Sequence, residues 1–379
     1  MPVSDKSSQA IVIGGGVIGL AVAWRLAQRG AEVVVLERDQ PGRGTSRVAA
    51  GMIAPISEAS VGEEALLRLG IASARAYPDF VAELHEVTGA DPGYLRCGTL
   101  IAARDRDEAE ALEREVELRL SLGLTVDRLL PTEARKLEPA LAPTLRAALA
   151  VGDDHAIDPR QLTAALLAAC RVAGVDVRAG AEVAELDLPV VRLAGGERLS
   201  AESVVLAAGV WSTQIRGLPP EAQIPLRPVK GQILWLRDPA GPGLMSRALR
   251  FPGAYLVSRG DGRYVLGATV EERGFDTTVT AGAVFELLRD AVELVPGVAE
   301  LVIDEALAGL RPGTPDNAPL IGAGALPGLI WATGHYRHGV LLTPITAELI
   351  ASAVLDGVTS PLAQPFGADR FQLQAAGVR

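Results

Sequence analysis

Apolar residues run unbroken from Ala10 to Ile13, enter Gly14-Gly15-Gly16-Val17-Ile18-Gly19, and then recur at helical spacing to Arg29, where Gly30 ends the pattern. Glu32 to Leu36, apolar after its first residue, reads as a second strand and closes on Glu37. The change of period predicts a strand, a glycine turn, a helix and a second strand. Helical periodicity returns over Glu63 to Leu84 and Ala109 to Leu122, with Gly98 to Ala103 between them reading as a strand. Acids and bases interleave over Glu108 to Arg119, the pattern of a solvated helix face. Asp158-Pro159 offers an N-cap and a proline at the first helical position, starting a helix that runs through Ala173 and stops at Gly174. Val175 to Arg178, Glu182 to Leu186 and Ser203 to Ala207 continue as strands, and the last ends in the small-residue turn Ala207-Ala208-Gly209-Val210-Trp211-Ser212.

From Ile224 to Arg311 the alternation gives way to strands in series. Leu226 to Leu236, Ala254 to Arg259, Arg263 to Thr269 and Asp304 to Leu310 carry β-rich sequence, with Gly260-Asp261-Gly262 as a turn signal and one helix, Ala283 to Leu294. This predicts an antiparallel sheet separate from the first. Alternation then resumes: a strand over Leu329 to Thr333, a loop over Gly334 to Gly339, and a helix over Thr343 to Leu355 whose N-terminal dipole points at whatever the loop touches. The expected class is α/β, α+β overall.

Composition narrows the partners. A chain of 379 residues with 49% hydrophobic content is long enough for two cores. A net charge of −10 without a basic run argues against nucleic acid, whose phosphates need a basic surface. Cys97 and Cys170 form no disulfide framework and show no metal-ligand spacing, which fits a reducing, cytoplasmic setting. Ala10 to Trp24 has the apolarity of a signal-peptide core but is preceded by little positive charge, and its glycines already serve the turn. No stretch reaches the ~18 apolar residues of a membrane span.

The glycine turn carries specific chemistry. Gly14 permits a tight turn, Gly16 lets the backbone approach a pyrophosphate, and Gly19 lets the helix pack closely on the strand. Glu37 follows Gly19 by 18 positions (37 − 19), the separation at which an acid reaches a ribose hydroxyl. These residues imply a dinucleotide and leave FAD and NAD equally open. The small-residue loop Pro41 to Met52 offers hydroxyls and amides to phosphate, or is a mobile surface loop. Taken singly, Arg311 before Pro312 serves as well in a structural salt bridge, Tyr255 as a half-buried strand aromatic, and Arg337 as a surface arginine. His335 and His338 are too few and too closely spaced for a metal site or an acid–base pair.

Taken together, the glycine turn with Glu37, TSRVAAGMIAP (Thr45 to Pro55), AAGVWS, PVKGQ (Pro228 to Gln232), AGLRPGTPD (Ala308 to Asp316) and GHYRHGVLLTP (Gly334 to Pro344) resemble the glycine oxidase branch of the D-amino-acid oxidase family of FAD-dependent amine oxidases. The resemblance covers nearly the whole chain. It implies a Rossmann-like FAD-binding domain over 1–84, 140–222 and 312–379, and a discontinuous antiparallel-sheet substrate domain over 85–139 and 223–311. FAD is expected to be noncovalent, since both cysteines lie far earlier than the C-terminal third, where relatives attach flavin. The resemblance assigns Gly14, Gly15, Glu37 and Arg38 to the ADP half, with Gly16 and Gly19 in the same turn. Thr45, Ser46, Ala50, Gly51 and Met52 would line pyrophosphate and flavin, and Val183 would meet the adenine side. Ala208, Gly209 and Trp211 end a strand at the ligand crevice. Gly334, His335, Tyr336, Arg337, His338, Gly339, Val340 and Leu341 would pass the flavin ring. Arg311 and Tyr255 would take a substrate carboxylate, and Arg337 would shape the polar end.

The activity implied is oxidation of glycine, sarcosine or small D-amino acids by oxygen to a 2-oxo acid, ammonia and hydrogen peroxide, feeding thiamine thiazole synthesis, by a homo-oligomer, tetramer or dimer. Three other readings stand beside it: a flavin dehydrogenase for D-amino or imino acids that uses an electron carrier, an NAD-dependent dehydrogenase, and a flavin-binding protein without turnover. Two positions depart from the family: His338, where asparagine is common, and Val270, where methionine is frequent and a smaller side chain widens the pocket.

Overall fold

The computed structural model describes residues 8–371. Strand β1 (Ser8–Ile13), helix α1 (Val17–Gln28) and strand β2 (Val33–Glu37) form the predicted unit. β1 pairs in parallel with β2 on one side and with Arg198–Leu206 on the other. Asp176–Ala179 extends the parallel sheet beyond β2, and Leu329–Thr333 extends it beyond Arg198–Leu206. Alternate residues face opposite layers, as a pleated strand requires. Ala10, Val12, Val33 and Val35 pack with Leu20, Trp24, Leu166 and Ile350 from the helices, while Ile11, Ile13, Val34 and Leu36 pack with Val183, Val191 and Leu206. Val190–Leu193 joins Val183–Asp187 and Arg198–Leu206 in an antiparallel extension that covers the second face.

The second sheet holds, in spatial order, Val302–Gly313, Arg227–Arg237, Arg263–Gly267, Ala254–Ser258, Ala248–Phe251, Thr99–Ala103, Ala147–Val151 and Asp127–Leu129. It is antiparallel except between Ala248–Phe251 and Thr99–Ala103. The strand Ala147–Val151 falls within the stretch expected in the nucleotide-binding domain, yet it is hydrogen-bonded into this sheet beside Thr99–Ala103. Its sequence, AALAV, is uniformly apolar and so carries no period from which a partner could be read. Leu234 and Leu236 face the helix Ala281–Leu294, while Ile233 and Trp235 face Ala50 and Ala156. The second sheet therefore turns one face toward the loop that follows β2.

The two parts are tied by arginines. Glu305 takes Arg160 at 2.5 Å and Arg47 at 2.9 Å, and Thr45 Oγ1 donates to the Leu310 carbonyl at 2.8 Å. No described helix is long and apolar enough to cross a membrane.

Candidate active site

One elongated cavity of about 840 Å³ runs between the two sheets. At one end it is lined by Gly14, Gly16, Glu37, Arg38, Val183, Ala208, Gly209 and Trp211, and at the other by Tyr255, Arg311 and Tyr336. Thr45, Ser46, Ala50, Gly51, Met52, His335, Arg337, Gly339 and Val340 also contribute to the wall. The sequence therefore named residues from both ends of a single space.

The glycines act as their spacing predicts. Gly14 has φ +109°, and a Cβ there would lie 2.5 Å from the Ala207 carbonyl oxygen. A Cβ on Gly19 would collide with the Gly14 carbonyl, so the absence of a side chain sets how closely α1 approaches β1. The first amides of α1 have no intrahelical acceptor, and no acidic residue occupies its first turn. Ser46 Oγ meets Val17 N–H at 3.1 Å and would meet a Cβ on Gly16 at the same distance. The Glu37 carboxylate at the end of β2 accepts from Gly15 N–H at 2.7 Å and from Asp39 N–H at 3.0 Å. Arg38 lies over the Trp211 ring, 4.4 Å from its centroid. Amides, a bare helix start, a fixed carboxylate and a flat aromatic wall fit the phosphates, ribose and base of a dinucleotide.

Gly15 and Gly19 support this site through a backbone bond and packing rather than by lining it. Gly334, His338 and Leu341 differ from expectation, since they do not reach the main cavity. Leu341 is buried, and its carbonyl accepts from Ser73 Oγ at 2.6 Å. His338 is enclosed by Arg337 and Glu58: Arg337 Nε donates to Nε2 at 3.1 Å, and Nδ1 lies 3.4 Å from Glu58 Oε2. Burial pushes its imidazole down to about 4, Glu58 opposing and Arg337 reinforcing the shift. Tyr336 adopts φ +48°, a left-handed conformation uncommon for a side chain of this size. The helix Thr343–Leu355 begins after this loop, but its first residue does not line the cavity.

At the other end, the half-buried Arg311 guanidinium has no paired carboxylate among the described residues. Its Nη1 donates to the carbonyls of Thr269 at 3.1 Å and Lys230 at 3.4 Å. Burial raises the neighbouring Tyr255 phenol above its usual value, and the Arg311 charge pulls it back. Arg337 is directed elsewhere: Nη2 approaches Ser60 Oγ at 3.3 Å and Glu63 Oε2 at 3.5 Å. Among the described residues, neither Cys97 nor Cys170 lines the cavity.

Several contributors have tasks that the sequence does not state. Gly231 lies under the Arg311 guanidinium, where a Cβ would stand 2.5 Å from Nη1. Arg259, 6% exposed, holds the Ala50 carbonyl at 2.7 Å and the Ile157 carbonyl at 2.9 Å. Burial drives its guanidinium down to about 10. Asp154 accepts from Ile56 and Ser57 N–H at 3.1 and 2.6 Å, and Arg119 donates to their carbonyls, so buried charges clamp the chain just before Glu58. The expected solvated face of Glu108 to Arg119 is therefore corrected at Arg119, which is fully buried with its donors satisfied.

Comparison with known proteins agrees with this geometry. A family model described as FAD dependent oxidoreductase (DAO) matches residues 9–353. The chain is 36% identical to the "Bifunctional protein ThiO/ThiG" of Synechocystis sp. over 97% of its own length, and spans about half (54%) of that relative. It is 34% identical to a glycine oxidase of Geobacillus kaustophilus, covering 95% of this chain and 96% of the relative. The crystal structure of glycine oxidase from Geobacillus kaustophilus superposes with a TM-score of 0.90, covering 96% of this chain and 99% of that one.

Proposed function

This chain belongs to the DAO family of FAD-dependent oxidoreductases, and we propose that it oxidises glycine and other small amino acids, sarcosine and small D-amino acids among them. The reaction consumes oxygen and water and releases a 2-oxo acid, hydrogen peroxide and the amine of the substrate, ammonia from glycine or a D-amino acid and methylamine from sarcosine. The observation that carries this reading is Arg311: a half-buried cation on the cavity wall, beside the Tyr255 hydroxyl and without a carboxylate partner among the described residues. A guanidinium in that state suits an incoming carboxylate, which it can take with two charge-assisted hydrogen bonds.

Glu37, the Gly15 region, Thr45 and Ser46 would hold FAD, with the loop from His335 to Val340 beside its ring. Bound FAD supplies the two-electron acceptor for the hydrogen on the substrate α-carbon and returns the electrons to oxygen. Arg311 and Tyr255 anchor the carboxylate and so fix which face of the α-carbon is presented. Gly231 and Gly267 leave room for that arrangement, since a Cβ on Gly267 would stand 2.9 Å from the Tyr255 hydroxyl. Loss of two electrons and two protons leaves the substrate as an imine, which water hydrolyses to the 2-oxo acid and the free amine. Similarity to ThiO/ThiG supports a role in supplying thiamine thiazole synthesis.

The test is Arg311→Ala. FAD content is expected to be unchanged, while glycine oxidation falls by on the order of 100-fold, the loss of two hydrogen bonds to a charged group. Unchanged glycine oxidation in the FAD-loaded variant would remove Arg311 from this role. Stoichiometric peroxide in air separates an oxidase from a dehydrogenase that needs a carrier.

A further inference from the structure

The motif PVKGQ contributes more than a glycine beneath Arg311. Lys230 lies within the strand Arg227–Arg237 and is 1% exposed, a placement that lysine rarely adopts unless it is paired. Its Nζ is 2.7 Å from Asp276 Oδ2 and 3.9 Å from Glu271 Oε2. Its backbone exchanges two hydrogen bonds with Glu271, at 2.8 and 3.0 Å. Gln232, also 1% exposed, accepts from Thr280 N–H at 2.8 Å and donates to Glu271 Oε1 at 2.7 Å. Its own N–H reaches Thr269 Oγ1 at 3.0 Å.

All of these partners lie on one segment, Thr269 to Thr280, which has no helix or strand of its own beyond an isolated bridge at Glu271. The segment begins with the carbonyl of Thr269, one of the two acceptors that fix Arg311 Nη1. The other acceptor is the carbonyl of Lys230 itself. The next residue, Val270, is on the cavity wall. Lys230 and Gln232 do not line the cavity, so neither is placed to touch substrate.

We propose that Lys230 and Gln232 are positioning residues for substrate binding: by pinning the Thr269–Thr280 segment to the strand, they hold the two carbonyls that aim Arg311 and set Val270 at the pocket wall. The proposal rests on the carboxylate-binding role given to Arg311 above. In that arrangement Lys, Gly and Gln have three separate tasks: an ion pair to Asp276 within the segment, space for the guanidinium, and side-chain hydrogen bonds to Glu271 and Thr280. A guanidinium anchored through one nitrogen keeps its remaining donors in a fixed direction, and misplacing a binding group by a fraction of its bond length weakens recognition steeply.

The experiment titrates the FAD-loaded protein with acetate, a carboxylate with no amine to oxidise, by calorimetry, and follows anaerobic flavin reduction by glycine. Lys230→Met is expected to weaken acetate binding and to raise the half-saturating glycine concentration, each by on the order of tenfold, with the limiting reduction rate and FAD content little changed. Lys230→Arg, which keeps the cation, is expected to restore most of the loss. Asp276→Asn removes the partner charge from a more exposed position and is expected to weaken acetate by roughly threefold. Wild-type acetate affinity in Lys230→Met overturns the proposal. Should that variant not fold, wild-type affinity in Asp276→Asn overturns it. Loss of reduction rate without loss of acetate affinity also counts against it. The parallel titration of Arg311→Ala separates the two claims: undiminished acetate binding there defeats the carboxylate site itself, whereas weakened binding there with normal binding in Lys230→Met defeats only the positioning role.

Discussion

His338 shows how a single enclosed side chain couples the stability of the fold to pH. In the unfolded chain its imidazole takes a proton near 6.5, but in the fold only at about 4, because burial disfavours the charge. Between those values the unfolded state binds more protons, so this contribution to stability is fully present above 6.5 and is lost as pH falls toward 4. At pH 5 the loss is about 2 kcal/mol from this residue alone. His335, buried against Thr346 and pushed down to about 3, adds a second loss of the same sign. His338→Asn removes one titration, and the drop in unfolding free energy between pH 7 and pH 5 should shrink by about that amount in denaturant titrations. An equal drop in both proteins would defeat this account. At this scale residue type and spacing supplied Glu37, whereas Arg311 and Tyr255 came only through the family resemblance, since taken singly each reads equally well as a structural residue. The sequence did not supply Arg259 or Asp154, nor the task of Gly231 within PVKGQ. Their partners lie far away in the chain: Arg259 reaches Ala50, and Asp154 reaches Ile56 and Ser57. Such pairings leave no periodic trace.

Elements were legible where a local signal fixes them. Asp158 caps the helix Pro159–Val172 and accepts from Arg160 N–H at 2.9 Å, as the Asp-Pro pair predicts. The loop Pro41 to Met52 was less so: it contains a short helix, Thr45–Val48, that small residues alone do not signal. For the opening unit the decisive contact is between α1 and β1. Gly19→Val would drive a side chain into the Gly14 carbonyl and force the helix away from the strand, an overpacking cost of about 1–3 kcal/mol. The displaced helix start should weaken FAD binding by roughly tenfold or more, measured by fluorescence quenching on reconstitution. Gly195→Val is the control, since a Cβ there meets nothing within 4 Å and its backbone needs no left-handed angle. Equal FAD affinity in the two variants would show that this packing does not shape the site.

The cavity belongs to neither sheet alone. Glu37 and Gly14 come from one, Arg311, Tyr255 and Gly231 from the other, and the arginine ties at Glu305 and Ala50 hold them in register. A ligand spanning this space touches both halves, so its binding energy is shared between two cores that also meet through the polar ties and the packing of Ile233 and Trp235 on Ala50 and Ala156. With free FAD at 100 times its dissociation constant the folded state gains about 2.7 kcal/mol. For a chain of 379 residues this corresponds to a rise of about 3 °C in the unfolding midpoint. Hydrogen exchange locates the gain. FAD added to stripped protein is expected to slow exchange in Leu329–Thr333 of the first sheet and in Arg227–Arg237 of the second. ADP, which reaches only the Glu37 end, is expected to protect the first sheet alone. Protection by FAD confined to the first sheet would mean that the two halves fold and bind independently, and the contribution of the second sheet to the cavity would then be one of substrate contact without cofactor contact.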